Sequence, residues 1–123
     1  MILAIWKKSM FKKGAIILIP FPFTDLSANK VRPALIISSN KISGDDVVVA
    51  FISSKKVKKL QNTDVYIAES DKNFYKTGLK TDSILKINKI ATLDKKIVLG
   101  ELGEIDKKIQ NEVDKKIKIL FDL

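Results

Sequence analysis

The chain has 123 residues, enough for one domain with one core, and its 46% apolar and 30% charged residues exclude disorder as an overall description. It contains no cysteine and no histidine, which excludes disulfides, zinc sites built on either residue, and Ser–His or Cys–His catalytic pairs. Lys and Arg number 23 against 14 acids, a formal +9 at pH 7. Such a charge draws in polyanions, whether nucleic acid, an anionic membrane or an acidic protein, although a lysine-rich composition accounts for it without any partner.

Residues 2–6 form too short an apolar stretch for a signal peptide, with lysines after it instead of before it, and they cannot span a membrane. The missing cysteine suits a reducing cytoplasm. "AIILIPF" (15–21) is a short apolar run that predicts a buried strand. Pro20 and Pro22 remove backbone donors, so this strand must end there or lie at an edge. Turn formers fill "TDLSANK" (24–30), which reads as a loop. A second strand is expected over 33–39, "PALIISS", with Pro33 at its first residue and Arg32 held extended at the loop–strand junction.

"SGDD" (43–46) reads as a turn and "VVVAFIS" (47–53) as a third strand. The basic "KKVKKLQ" (55–61) reads as a loop or a short helical turn, and "DVYIA" (64–68) alternates as a strand does. After the turn at Gly78 a strand is expected at 83–87, then one or two more in "IATL" and "IVLGEL". Leu102, Ile105, Ile109, Val113, Ile117 and Leu120 then recur at three and four residues, predicting an amphipathic helix over 104–121. Five to seven closely spaced short strands and a terminal helix point to a mainly β fold, a small barrel with a helix packed on it.

The polar residues left over stand at predicted strand ends. They are Arg32, which is the only arginine, Ser53 and Ser54 in "AFISSK", and Lys86 and Asn88 in "LKIN". A guanidinium, a hydroxyl and an ammonium brought to one rim would bind phosphate. Each also has a plainer reading: a surface ion pair for Arg32, a turn for the serines, a solvated face for Lys86. There is no glycine-rich phosphate loop, and Asp45–Asp46 reads as a hairpin turn and not a metal site.

At these residues the sequence resembles the MazF/PemK family of toxins from type II toxin–antitoxin pairs, in the PemK-like style. The resemblance is carried by "KKGAIILIPFPFTDLSANKVRPALIIS", "DVVVAFISSK", "GLKTDSILKINKIATLDKKIV" and "GELGEIDKKIQNEVDKKIKILF", in that order. It covers residues 10–123 as one domain and leaves 1–9 as a short extension. It implies an SH3-like barrel of the CcdB/MazF type, a homodimer, and an endoribonuclease needing neither metal nor other cofactor. Single-stranded RNA would be cut at a short sequence, leaving a 2′,3′-cyclic phosphate and a 5′-hydroxyl.

By position, Arg32 matches the family's catalytic arginine, and Ser53 the place usually held by a catalytic threonine. Lys86 and Asn88 fall near an arginine and an aspartate that some members use for proton transfer, and Asn88 cannot act as a carboxylate base. Ala91 replaces a frequent arginine. The general base is left open, Asp25 being a candidate on loop position. RNA contacts are expected from the loops at 24–31 and 55–62: Phe23, Thr24, Lys30, Ser54, Lys55, Lys56, Lys58 and Lys59, with Phe21 and Phe23 as stacking or packing surfaces. The implied partner is an acidic antitoxin, in a complex that binds DNA, with no membrane. The alternative is a non-cleaving RNA-binding or gyrase-targeting protein of the same fold. The ending "KILFDL" differs from the helix signature of the gyrase-targeting group.

Overall fold

A computed structural model describes residues 11–21 and 30–123. Six strands form one antiparallel sheet: β1 (Ala15–Phe21), β2 (Lys30–Ile36), β3 (Asp46–Ser53), β4 (Asp64–Ile67), β5 (Ser83–Asp94) and β6 (Gly100–Glu104). The spatial order is β4-β5-β3-β2-β1-β6, and the sheet curls into a half barrel. One helix, α1 (Lys107–Phe121), follows β6. The expected small barrel with a terminal helix is thus what the chain forms. No helix among the described residues is long and apolar enough to cross a membrane.

Strand alternation divides the sheet into two faces. Ile16, Leu35, Ala50, Ile52, Val65, Ile67, Leu85 and Ile87 lie on one face, covered by Ile105, Ile109 and Val113 at the start and along the inner side of α1. The opposite face carries Ala15, Ile17, Ile19, Ala34, Ile36, Val47, Val49 and Leu93, packed with Val98 from the segment before β6. β1, β2 and β3 bury residues on both faces, which is why they read as continuous apolar runs.

Three boundaries differ from the sequence expectation. β2 begins at Lys30, not Pro33, and ends at Ile36. Arg32 therefore lies inside a strand, paired with Ile19 of β1. Pro33 is tolerated because the β2–β3 ladder starts only at Ala34↔Phe51, so no partner is waiting for its missing N–H on that side. Pro20 escapes in the same way, since β6 pairs only with Ala15 to Leu18.

The strands expected at 83–87 and in "IATL" are one twelve-residue strand. Its register against β3 jumps from Lys86↔Phe51 to Ile90↔Ala50, leaving Ile87, Asn88 and Lys89 between successive pairs. An odd insertion of this kind flips the side-chain parity and bends the strand. Lys86 shares a face with Phe51, whereas beyond the bulge Ala91 and Leu93 take that face. The polar "NK" that reads as a strand end is this bend. Lys86 and Asn88 are accordingly mid-strand residues. Of the strand expected in "IVLGEL", the part from Gly100 is realised as the start of β6, while a 3-10 turn covers Lys95–Ile97.

The helix begins at Lys107 rather than residue 104, so Leu102 and Ile105 precede it, though both still contact the core under α1. Its start is set by Asp106, whose carboxylate accepts from the Ile109 N–H at 2.9 Å and the Asn73 side-chain amide at 2.8 Å. These two donors, the backbone one first, hold the Asp106 carboxyl below its ordinary value. A native value below the unfolded one (~3.9) means that the cap stabilises the fold above pH 4 and loses its effect as the pH falls through the native value. Asp106→Ala should cost about 1 kcal/mol at pH 7. The gap between mutant and parent should close in urea titrations run toward pH 2.

Ahead of β5, a 3-10 helix (Phe74–Thr77) ends at Gly78, which sits at φ 72°. A Cβ at Gly78 would fall on the Leu102 carbonyl oxygen, and one at Gly103 on that of Lys76. The two glycines thereby let this turn press against β6 and fix where β5 departs.

Candidate nucleic-acid interface

The face away from α1 is packed at its centre and opens toward the ends of β1, β2 and β3. Following the β2–β3 register two residues past Ala34↔Phe51 sets Arg32 opposite Ser53. Ser53 pairs in turn with Ile84, and Ile84 with Tyr66 of β4. One row across the sheet therefore reads Tyr66, Ile84, Ser53, Arg32, Ile19. The adjacent row reads Asp64, Lys86, Phe51, Ala34, Ile17. Directly opposed residues in an antiparallel sheet point to the same side, so both rows share this open face.

The Arg32 side chain is exposed and makes no ion pair or hydrogen bond with any described residue, so among those residues its guanidinium has no counter-charge. Ser53 is half-buried. Its Oγ accepts from the Lys55 N–H at 3.2 Å, which both makes the turn anticipated in the sequence and leaves its own proton free to donate. Phe51 lies between the Arg32 and Lys86 columns and meets Phe21 edge-on, with centroids 6.0 Å apart and planes at 89°. Phe21 thus packs against a neighbouring ring while remaining 40% exposed.

Lys86 differs from its sequence reading. Its ammonium sits 3.1 Å and 3.2 Å from the two carboxylate oxygens of Asp64, whose side chain is only 1% exposed. Asp64 also accepts from the Gln61 N–H at 2.9 Å. The ammonium is therefore paired with a buried carboxylate while keeping some contact with water. Asn88 donates to the Gln61 side chain at 3.3 Å, and its own buried oxygen finds no partner. These side chains tie the loop after β3 to β5.

That loop carries Ser54, Lys55, Lys56, Lys58 and Lys59, all exposed, and it is irregular with no helical turn. Lys30, also exposed, pairs with Phe21 at the far end of β2. Asp45 and Asp46 bear out the turn reading in part: Asp45 accepts the Lys95 N–H through its carbonyl, while Asp46 opens β3. Phe23, Thr24 and Asp25 lie outside the described residues, as does the extension 1–9.

The sequence reading passed over Asp64, Tyr66 and Asp82. Asp82 accepts the Glu69 N–H at 2.6 Å and is hydrogen-bonded to the Tyr66 hydroxyl. Those bonds, helped by the Lys56 charge, hold its carboxyl below the usual value despite some desolvation. Tyr66 is held above its usual value, chiefly by that bond. The alternation in "DVYIA" already sets Asp64 and Tyr66 on the side opposite Val65 and Ile67. Only the pairing with β5 reveals what that side faces.

Several solved structures share this architecture. An endoribonuclease in complex with its cognate antitoxin from Mycobacterial species superposes with a TM-score of 0.69 at 22% identity, over 91% of this chain and 95% of that one. The Mycobacterium tuberculosis toxin MazF-mt6 gives 0.69 at 19% identity, over 89% and 97%. MazF from a MazE–MazF crystal of Deinococcus radiodurans gives 0.68 at 17%, over 91% and 95%. At these identities the likeness shows the fold. No curated relative matches the sequence. The model of the PemK-like, MazF-like toxins of type II toxin–antitoxin systems matches residues 12–121, nearly the whole chain, and to that family the chain belongs.

Proposed function

We propose that this toxin is an endoribonuclease that cuts single-stranded RNA at a short sequence, with Arg32 and Ser53 acting on the scissile phosphate. What supports this reading is the β2–β3 register: extended two residues past its last pair, it brings an exposed guanidinium, unpaired among the described residues, opposite a hydroxyl whose proton is free. The ribose 2′-oxygen attacks the adjacent phosphorus, and the bond to the 5′-oxygen breaks. A 2′,3′-cyclic phosphate remains on one fragment. The proton lost by the 2′-hydroxyl is balanced by one gained on the leaving 5′-oxygen. Negative charge grows on the non-bridging oxygens at the crossing point, where two N–H donors of Arg32 and the O–H of Ser53 would bind most tightly.

The exposed lysines at 55, 56, 58 and 59, with Lys30, would hold flanking phosphates. The same surface would accept the acidic segment of a cognate antitoxin, which then competes with RNA. Complexes of this kind among the structural neighbours support that partner. The family supports a homodimer working in the cytoplasm, its antitoxin complex binding DNA.

A second reading, a binder that does not cut, is favoured by the pairing of Lys86 with Asp64 and by an amide at Asn88 where a base would need a carboxylate. One assay separates the two. The purified protein is incubated with a long RNA in excess EDTA, and the ends are analysed. Discrete bands carrying 5′-hydroxyl ends support the nuclease. Salt-sensitive RNA binding without cleavage supports the binder.

A further inference from the structure

We propose that Tyr66 is a stacking wall for an unpaired base of the bound RNA, on the same face of the sheet as the phosphate site. The inference rests on the RNA-binding reading above and deepens it. Tyr66 is 49% exposed although it occupies a strand position, and the ladders put it in the same row as Ser53, a row that the β2–β3 register, extended past its last pair, continues to Arg32. Three strand spacings separate its column from that of Arg32, roughly 14 Å along the sheet. Such a span exceeds the reach from a phosphate to its own base, so the base held here is one further along the strand.

Asp82, fixed by the Glu69 N–H at 2.6 Å, stands beside the Tyr66 hydroxyl. Lys56, exposed on the loop after β3, lies near enough to Asp82 to act on its charge. The combination of an aromatic face with a neighbouring cation is the pairing by which single strands are held: stacking for the base, charge for the backbone. Stacking is tolerant of sequence, so Tyr66 would prefer large bases without reading their edges.

The test uses the full chain with Arg32→Ala to block cutting, and a short RNA carrying 2-aminopurine at successive positions around a mapped cut site. One position should quench on binding. Adding Tyr66→Ala should abolish that quench and weaken binding about 5- to 150-fold, the range for one stacked base. Tyr66→Phe should keep both, because the ring remains. Tyr66→Leu, which preserves apolar packing on β4, should behave as Tyr66→Ala, excluding a folding defect as the cause. Unchanged binding and quench in the Ala and Leu variants overturn the stacking wall while leaving the nuclease intact. If the Arg32→Ala parent binds no RNA, and the unmodified protein cuts none, the underlying reading fails as well.

Discussion

Arg32→Ala should lower RNA cleavage by a factor of about 100 to 1,000, the usual loss when a single donor to a developing oxyanion is removed. Its stability should stay within about 0.5 kcal/mol of the parent, because the side chain is exposed and holds no partner among the described residues. Arg32→Lys should recover only part of the rate, since an ammonium keeps the charge but not the forked pair of donors. The measurements are initial cleavage rates on a defined RNA and urea unfolding midpoints of the same preparations. A variant that cuts as fast as the parent would remove Arg32 from the chemistry. One that loses activity and stability together would show that the backbone, and not the guanidinium, had been disturbed.

The second large effect lies two columns away and is expected to be structural. Removing the Lys86 ammonium strands the Asp64 carboxylate, which is 1% exposed, in an apolar sheet. Breaking a buried pair by deleting one partner costs about 3–5 kcal/mol. Lys86 keeps some contact with water, so Lys86→Ala should cost about 3 kcal/mol, at the lower end. Combining it with Asp64→Asn removes the stranded charge and should restore most of that loss. Double-mutant cycles by urea denaturation read the coupling directly. If Lys86→Ala instead leaves stability unchanged and abolishes cutting, Lys86 belongs with Arg32 on the phosphate and the ion pair is incidental.

In the sequence Arg32 and Lys86 are both cations near predicted strand ends, and the fold separates them by partner. Nothing local distinguishes a lysine aimed at water from one aimed at an aspartate 22 positions earlier. The pairing of β4 with β5 makes that choice. The same holds for Tyr66, which has an ordinary strand neighbourhood in the sequence and gains its place in the row of Ser53 through two ladders. By contrast, Ser53 in its turn needed only the two residues that follow it.

What this sequence decides alone is whatever depends on short-range pattern. The apolar runs become β1, β2 and β3, the three-and-four spacing from Ile109 becomes α1, and the composition rules out cysteine and histidine chemistry. The four ordered blocks around Arg-Pro suffice to indicate the family. The tertiary structure decided where β5 bends, on which face each half of it points, and which charges are already neutralised. The physical reason is that strand parity and register are set by partners far along the chain. An odd insertion at Ile87–Lys89 reverses faces without leaving any local energetic mark that a single sequence displays.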